Sequence, residues 1–251
     1  MRATTHVVDL AVAIAALLVV AATLVLPAVP QPAVYHLFAD RRTLLGIPNA
    51  LDVLSNAAFA VVGGLGLRHA LRRDAHADPR ERTAWLVLFA AVALTSVGSA
   101  YYHLAPGDDR LAWDRYPMAA GFMAIAALLV GERFGPAVGR RLLPWLVAGG
   151  IATVAWWSLR GNLLPYLVVQ YGTMAIIPVL LVGRPAGAAP RFPFVAALVL
   201  YALAKVLEAE DRPVFAAIGV SGHTLKHLVA AAAIGVLAVE IHRRGRTKRA
   251  R

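Results

Sequence analysis

Residues 83–104 read TAWLVLFAAVALTSVGSAYYHL, 22 residues without a single Asp, Glu, Lys or Arg. Coiled into an α-helix at about 1.5 Å per residue, the run covers roughly 33 Å, enough to cross about 30 Å of hydrocarbon. Charge resumes on both sides of it, with Arg80, Glu81 and Arg82 before and Asp108, Asp109 and Arg110 after. The stretch reads as a transmembrane helix with two of its polar residues, Ser99 and His103, near one end.

Working outward, the same pattern recurs. Hydrophobic helices are expected at about Val7–Val29, Leu51–Leu67, Thr83–Leu104, Met118–Gly131, Leu142–Leu159, Leu163–Val182, Phe194–Leu207 and Ser221–Ile241. Pro, Gly and charge separate them, as in RRDAHADPRER, ERFGPAVGRR and GRPAGAAPR. Hydrophobic residues make up 59% of the 251, far from the composition of a soluble domain. The predicted class is an all-α integral membrane protein, with a seven-transmembrane-helix core plus one extra N-terminal transmembrane helix. Residues 1–30 form that first helix and 31–251 the seven-helix domain with its basic tail. The apolar run of the first helix exceeds a usual signal-peptide core, so a retained helix is expected.

The net charge of +11 sits at the ends of apolar blocks, without interleaved aromatics or a soluble domain to carry it. It is a topology signal, and no nucleic-acid partner is expected. With loops assigned alternately to two sides, one side collects 17 of the 25 Lys and Arg, including Arg2, Arg184 and the tail HRRGRTKRAR. Both termini are therefore expected in the cytoplasm, with the tail against anionic headgroups. The Ala-, Arg- and Val-rich, Lys-poor composition points to a high-GC bacterium and hence to its inner membrane. Oligomeric state leaves no mark in the sequence. The chain has no Cys, so a transition metal would have to be held by His, Asp or Glu.

Charged and imidazole side chains are costly in hydrocarbon and mark function by default. Ser99 and His103 stand at i and i+4 on one helical face, and Asp114 follows across the loop GDDRLAWDR. His223 and His227, in SGHTLKH, are again i and i+4, a metal-ligand spacing. The third helix runs outward to His103 and the eighth begins at His223, so both sets fall at the extracytoplasmic end. Three neutral imidazoles meeting there would make a zinc site with one position open to water. Asp114 would orient or deprotonate that water, and Ser99 would hydrogen-bond a developing oxyanion.

Each element also has a plainer reading. Two helical histidines four apart often only pack, Ser99 alone suits close helix packing, and Asp114 suits an ion pair with Arg110 or Arg115. His6, His69, His76 and His242 are expected exposed at the cytoplasmic side, and His36 in a loop. Glu208, Glu210 and Asp211 would balance Arg212 and Lys226. Asp52, just inside an apolar helix with Ser55 and Asn56, requires a partner.

At these residues the sequence resembles the alkaline ceramidase family and its superfamily of seven-helix membrane hydrolases, which includes the adiponectin-receptor-like proteins. The resemblance covers about Asn49–Ile241. It rests on the pair Ser55–Asn56, on SAYYH followed by Asp114, and on the terminal GHTLKH. It implies zinc bound by His103, His223 and His227, with Asp114 and Ser99 assisting hydrolysis of a ceramide-like N-acyl lipid from the bilayer. Two departures stand out. The acidic N-terminal calcium-binding segment of the eukaryotic enzymes is replaced by QPAVYHLFADRRTLLGIPNA, which contributes only Asp40, and an extra first helix is present. The alternatives are a metal-holding receptor-like or structural relative, haem electron transfer through His103, and a transporter using Asp52 and Asp114 as proton sites.

Overall fold

A computed structural model describes residues 2–76, 78–182 and 191–249. Arg184, Arg251 and most of the turn GRPAGAAPR, used above to count charge, lie outside the described residues. The α-helices are α1 (Arg2–Val25), α2 (Ala50–Leu54), α3 (Ala57–Ala70), α4 (Arg82–Leu104), α5 (Asp108–Phe134), α6 (Pro136–Arg160), α7 (Leu164–Val182), α8 (Phe192–Ala209), α9 (Asp211–Ile218) and α10 (Gly222–Arg249). Eight spans are long and apolar enough to cross a membrane, with α2 and α3 together forming one of them. The chain is an all-α membrane protein. Exposed Leu and Val cover its outside, and α1 is almost wholly exposed, as lipid-facing helices are.

Packing joins α4 to α3 and α5, α5 to α6 and α7, and α10 to α3 and α8. Small residues let backbones approach: a Cβ on Gly63 would meet Ala93 of α4, and one on Gly139 would overlap the Ala127 carbonyl of α5. Trp85, Leu88, Phe89, Phe194, Leu237 and Ile241 fill the core towards the end that holds most of the arginines.

The structure differs from the sequence reading in three main ways. Helix α5 starts at Asp108 rather than Met118, and α6 at Pro136 rather than Leu142, because polar first turns carry no hydrophobic signal although they are helical. The loop expected around Asp114 is therefore helix. Span 50–70 breaks at Ser55–Asn56, where backbone bonds shorten to i→i+3, including Ala58 N to Ser55 O at 3.2 Å and Phe59 N to Asn56 O at 3.0 Å. The Ser55 hydroxyl and the Asn56 amide each donate to the Asp52 carbonyl, at 3.0 and 2.7 Å, replacing helical donors. The third difference is α9, a short helix between the last two spans.

Pro117 inside α5 explains a further contact. Proline has no N–H, so the Trp113 carbonyl lacks its helical donor four residues on. A Cβ on Gly98 of α4 would overlap that same carbonyl oxygen. Glycine in α4 and proline in α5 thus allow a close crossing beside Ser99 and Asp114. Gly98→Ala is expected to cost about 1–3 kcal/mol through overpacking, read as a lower melting temperature in detergent. Unchanged melting would mean that the two helices are not held this closely.

Candidate metal centre

His103 ends α4, while His223 and His227 open α10 at the same end of the bundle. All three are buried, at 0%, 3% and 1% exposure. One ligand atom from each falls within 4.8 Å of the others. The ring centroids form a near-equilateral triangle with sides of 4.8, 4.9 and 4.9 Å. His103 Nε2 and His223 Nε2 stand 3.3 Å apart. Two ligands bound tetrahedrally at roughly 2.0–2.1 Å are separated by about 3.3 Å, so the His103–His223 pair has the spacing of a zinc-sized ion, with His227 offering a third ligand atom within 4.8 Å.

The network around the triad suits one tautomer. Ser55 Oγ lies 3.0 Å from the Asp52 carbonyl and 2.8 Å from Nδ1 of His227. With the Ser55 proton on that carbonyl, Nδ1–H of His227 donates to Ser55 Oγ and Nε2 keeps a lone pair for the triad. Fixing the ring through its second nitrogen is how metal-binding histidines are usually oriented. The Asp52 carboxyl group accepts from Ser221 Oγ at 3.0 Å and Thr224 Oγ1 at 2.6 Å, pinning the start of α10 to α2. Asp52 thus has the partner its position demanded. Asn49 Nδ2 donates to the His103 carbonyl at 2.8 Å. One contact competes with a metal: Lys226 Nζ lies 3.3 Å from His223 Nε2, although Glu208 Oε1 holds the ammonium more closely, at 2.9 Å.

The segment between α1 and α2 roofs the triad. Phe38, buried, sets its ring 4.6 Å from His103 and 4.5 Å from His223. Ala39 N donates to Asp211 Oδ2 at 2.8 Å, and Arg212 Nη2 to the Leu37 carbonyl at 3.3 Å. Arg42 bonds both Asp40 and the Gly219 carbonyl. The guanidinium bonded to Asp40 holds that carboxyl below its usual range, so the anchor stays ionised in mild acid. Asp211 also accepts the His223 backbone N–H at 2.9 Å, which ties the roof to the site.

A comparison with protein-family models and with curated proteins finds no match to this chain. What the site can do follows from its own geometry.

Asp114 is buried at 6% exposure, and its Oδ1 has no hydrogen-bond partner among the described residues. No ion pair within 4 Å joins it to Arg110 or Arg115 among those residues. Arg110 instead stacks on Tyr101 at 4.4 Å, and Arg115 on Trp157 and Tyr166 at 4.3 and 4.9 Å. The plain surface-pair reading of Asp114 therefore fails. Ser99 is 1% exposed and faces the Asp114 carboxyl group. Both line a cavity of about 120 Å³, together with His227, Lys205, Glu208 and Lys226. Below this polar head the walls turn apolar, ending at Leu88, Phe194 and Leu237. From Ser99 to Leu88 on α4, and from Lys226 to Leu237 on α10, is eleven residues, roughly 16 Å by helical rise. That is about half the hydrocarbon thickness of a bilayer.

The other histidines stand apart from the triad. His36 bonds Tyr102 OH at 2.9 Å and Asp108 Oδ1 at 3.0 Å. His69 and His242 face each other at 3.4 Å on the opposite end. His76, expected exposed, is buried at 2%, with Nε2 at 2.8 Å from the Ala70 carbonyl, because the turn after α3 folds back under α10. Among the described residues no ion pair within 4 Å joins Arg212 to the acidic cluster, both Asp211 oxygens accepting backbone N–H groups, whereas Lys226 is balanced by Glu208 as expected. Sequence reasoning missed the roles of Ser55 and Phe38, and it missed that Lys226 stands beside the triad, although it did expect the acidic cluster to balance that lysine. A lysine between two histidines at the start of an apolar helix was the available signal.

Proposed function

We propose that this chain is a zinc-dependent intramembrane amide hydrolase that cleaves the N-acyl bond of ceramide or a related N-acyl lipid, as the resemblance to the alkaline ceramidases implies. The carrying observation is the juxtaposition of three buried imidazoles, a buried Asp–Ser pair and an apolar cavity about one leaflet deep. When bound at His103, His223 and His227, zinc supplies Lewis acidity and a water of lowered pKa. Asp114 takes a proton from the attacking water and returns it to the leaving amine. The Ser99 hydroxyl donates to the carbonyl oxygen as negative charge builds on it. The apolar length of the cavity holds the acyl chain, while the Phe38 roof limits bulk water around the reacting groups.

The test is release of fatty acid from a fluorescent N-acyl sphingoid lipid by zinc-loaded protein, abolished by a chelator and restored by zinc. Bound zinc without turnover on any N-acyl lipid would favour the receptor-like reading, in which the metal only staples α4 to α10; near-complete burial of the triad is the observation on that side.

The arginine-rich end lies opposite the triad, so the reading places both termini in the cytoplasm and the site towards the extracytoplasmic side of a bacterial inner membrane. A reporter fused after Arg251 should be cytoplasmic. Asp109→Cys, a single thiol in a chain without cysteine, should label from outside. The reverse pattern would overturn this orientation.

A further inference from the structure

Hydrolysis as proposed leaves Lys205, Glu208 and Lys226 on the cavity wall without a role. Lys226 follows His223 by three residues, so it shares that face of α10. Glu208 is saturated: Oε1 takes Lys226 Nζ at 2.9 Å and Tyr35 OH at 3.1 Å, and Oε2 takes Lys205. Two ammonium groups thus share one carboxylate, and both line the cavity with Asp114. Among the described residues no ion pair within 4 Å joins Asp114 to either lysine. With a dication on the triad, this wall carries excess positive charge even when Asp114 is ionised. Positive charge left over inside a membrane protein is expensive, and an apolar wall of the same shape would cost less. Its retention points to an anionic ligand group.

We propose that Lys226 and Lys205 form an anion subsite and that the substrate is an N-acyl amino acid lipid, whose amine half carries a carboxylate beside the scissile amide. The assignment rests on the hydrolase reading and names its substrate class. Position selects the carboxylate. Lys226 Nζ lies 3.3 Å from a triad nitrogen, so an anion it holds sits within a few bonds of a carbonyl carbon presented to the triad. An α-carboxylate is two bonds from the amide nitrogen, and a phosphate on an ethanolamine amide is farther out. The acyl chain then fills the apolar length of the cavity. Water adds its oxygen to the acyl carbon, the C–N bond breaks, and the nitrogen receives the proton. The products are a fatty acid carboxylate and a free amino acid.

A matched pair of substrates tests this. N-Oleoyl glycine and N-oleoyl ethanolamine differ chiefly in a carboxylate against a hydroxymethyl group. Zinc-loaded protein should hydrolyse the glycine amide with at least tenfold higher kcat/KM. Lys226→Met and Lys205→Met should each reduce that preference, and Lys226→Arg should retain it. Equal or reversed preference in the unaltered protein overturns the subsite, whatever the variants do. Preference for N-oleoyl phosphoethanolamine over the glycine amide overturns the carboxylate assignment. If no amide is cleaved, calorimetric binding of the same pair decides: tighter binding of the glycine amide, weakened by Lys226→Met, keeps the subsite while the hydrolase reading falls, and equal binding removes both.

Discussion

His223→Ala and His227→Ala are each expected to strip close to one equivalent of zinc from the purified protein while leaving helical content unchanged. The triad offers one ligand atom from each of three buried rings. Losing one leaves two, fewer than the three protein ligands of a catalytic zinc site. Alanine is the best helix former, so α10 has no reason to unwind. Elemental analysis and circular dichroism read the two outcomes separately. His36→Ala is the control, because that ring serves Tyr102 and Asp108, and it should keep its metal. Ser55→Ala should weaken metal affinity by roughly ten- to a hundredfold, the usual effect of removing the group that orients a ligand histidine. Occupancy should also fall in acid, since protons and metal compete for the same lone pairs. Full zinc content in both alanine variants would reject the site.

The second large effect concerns Asp114. Asp114→Asn should keep zinc and fold but lower turnover by roughly a hundredfold or more, the scale of lost acid–base assistance. Amide replaces carboxylate at nearly constant shape, so packing against Ser99 survives while the proton acceptor is gone. An exposed ion-pair aspartate would change stability by at most about 1 kcal/mol and leave turnover alone. Asp114 is not such a residue, being buried and making no ion pair within 4 Å with Arg110 or Arg115 among the described residues. Activity near that of the unaltered protein would remove Asp114 from the mechanism, whatever happens to the metal.

Much of this was legible along the chain because hydropathy is a local property. Each span is announced by its own residues, and chain direction alone brings His103 and the His223–His227 pair to one end. The i, i+4 spacings of Ser99–His103 and His223–His227 placed each pair on one helical face without any knowledge of neighbours. Asp52 signalled an unseen partner through its cost in hydrocarbon. Polar helical turns were not legible. Residues 108–117 contain three acids, two arginines and a proline, and periodicity cannot distinguish such a segment from a loop.

The sequence by itself determined a membrane-spanning helical bundle, its eight apolar spans and the end of the bundle where its histidines gather. Only the tertiary structure decided which polar groups touch. Asp114 could have paired with the arginine beside it in the chain, but that side chain turns into an aromatic box of Trp157 and Tyr166. Lys226 found Glu208 on another helix, and His227 found Ser55 at a helix break 172 residues earlier. The physical reason is that helical geometry fixes the direction of a side chain relative to its own axis, whereas its partner depends on how neighbouring axes cross. Those crossings are set by close contacts such as Gly98 against the Trp113 carbonyl freed by Pro117, and they exist only once the helices have packed.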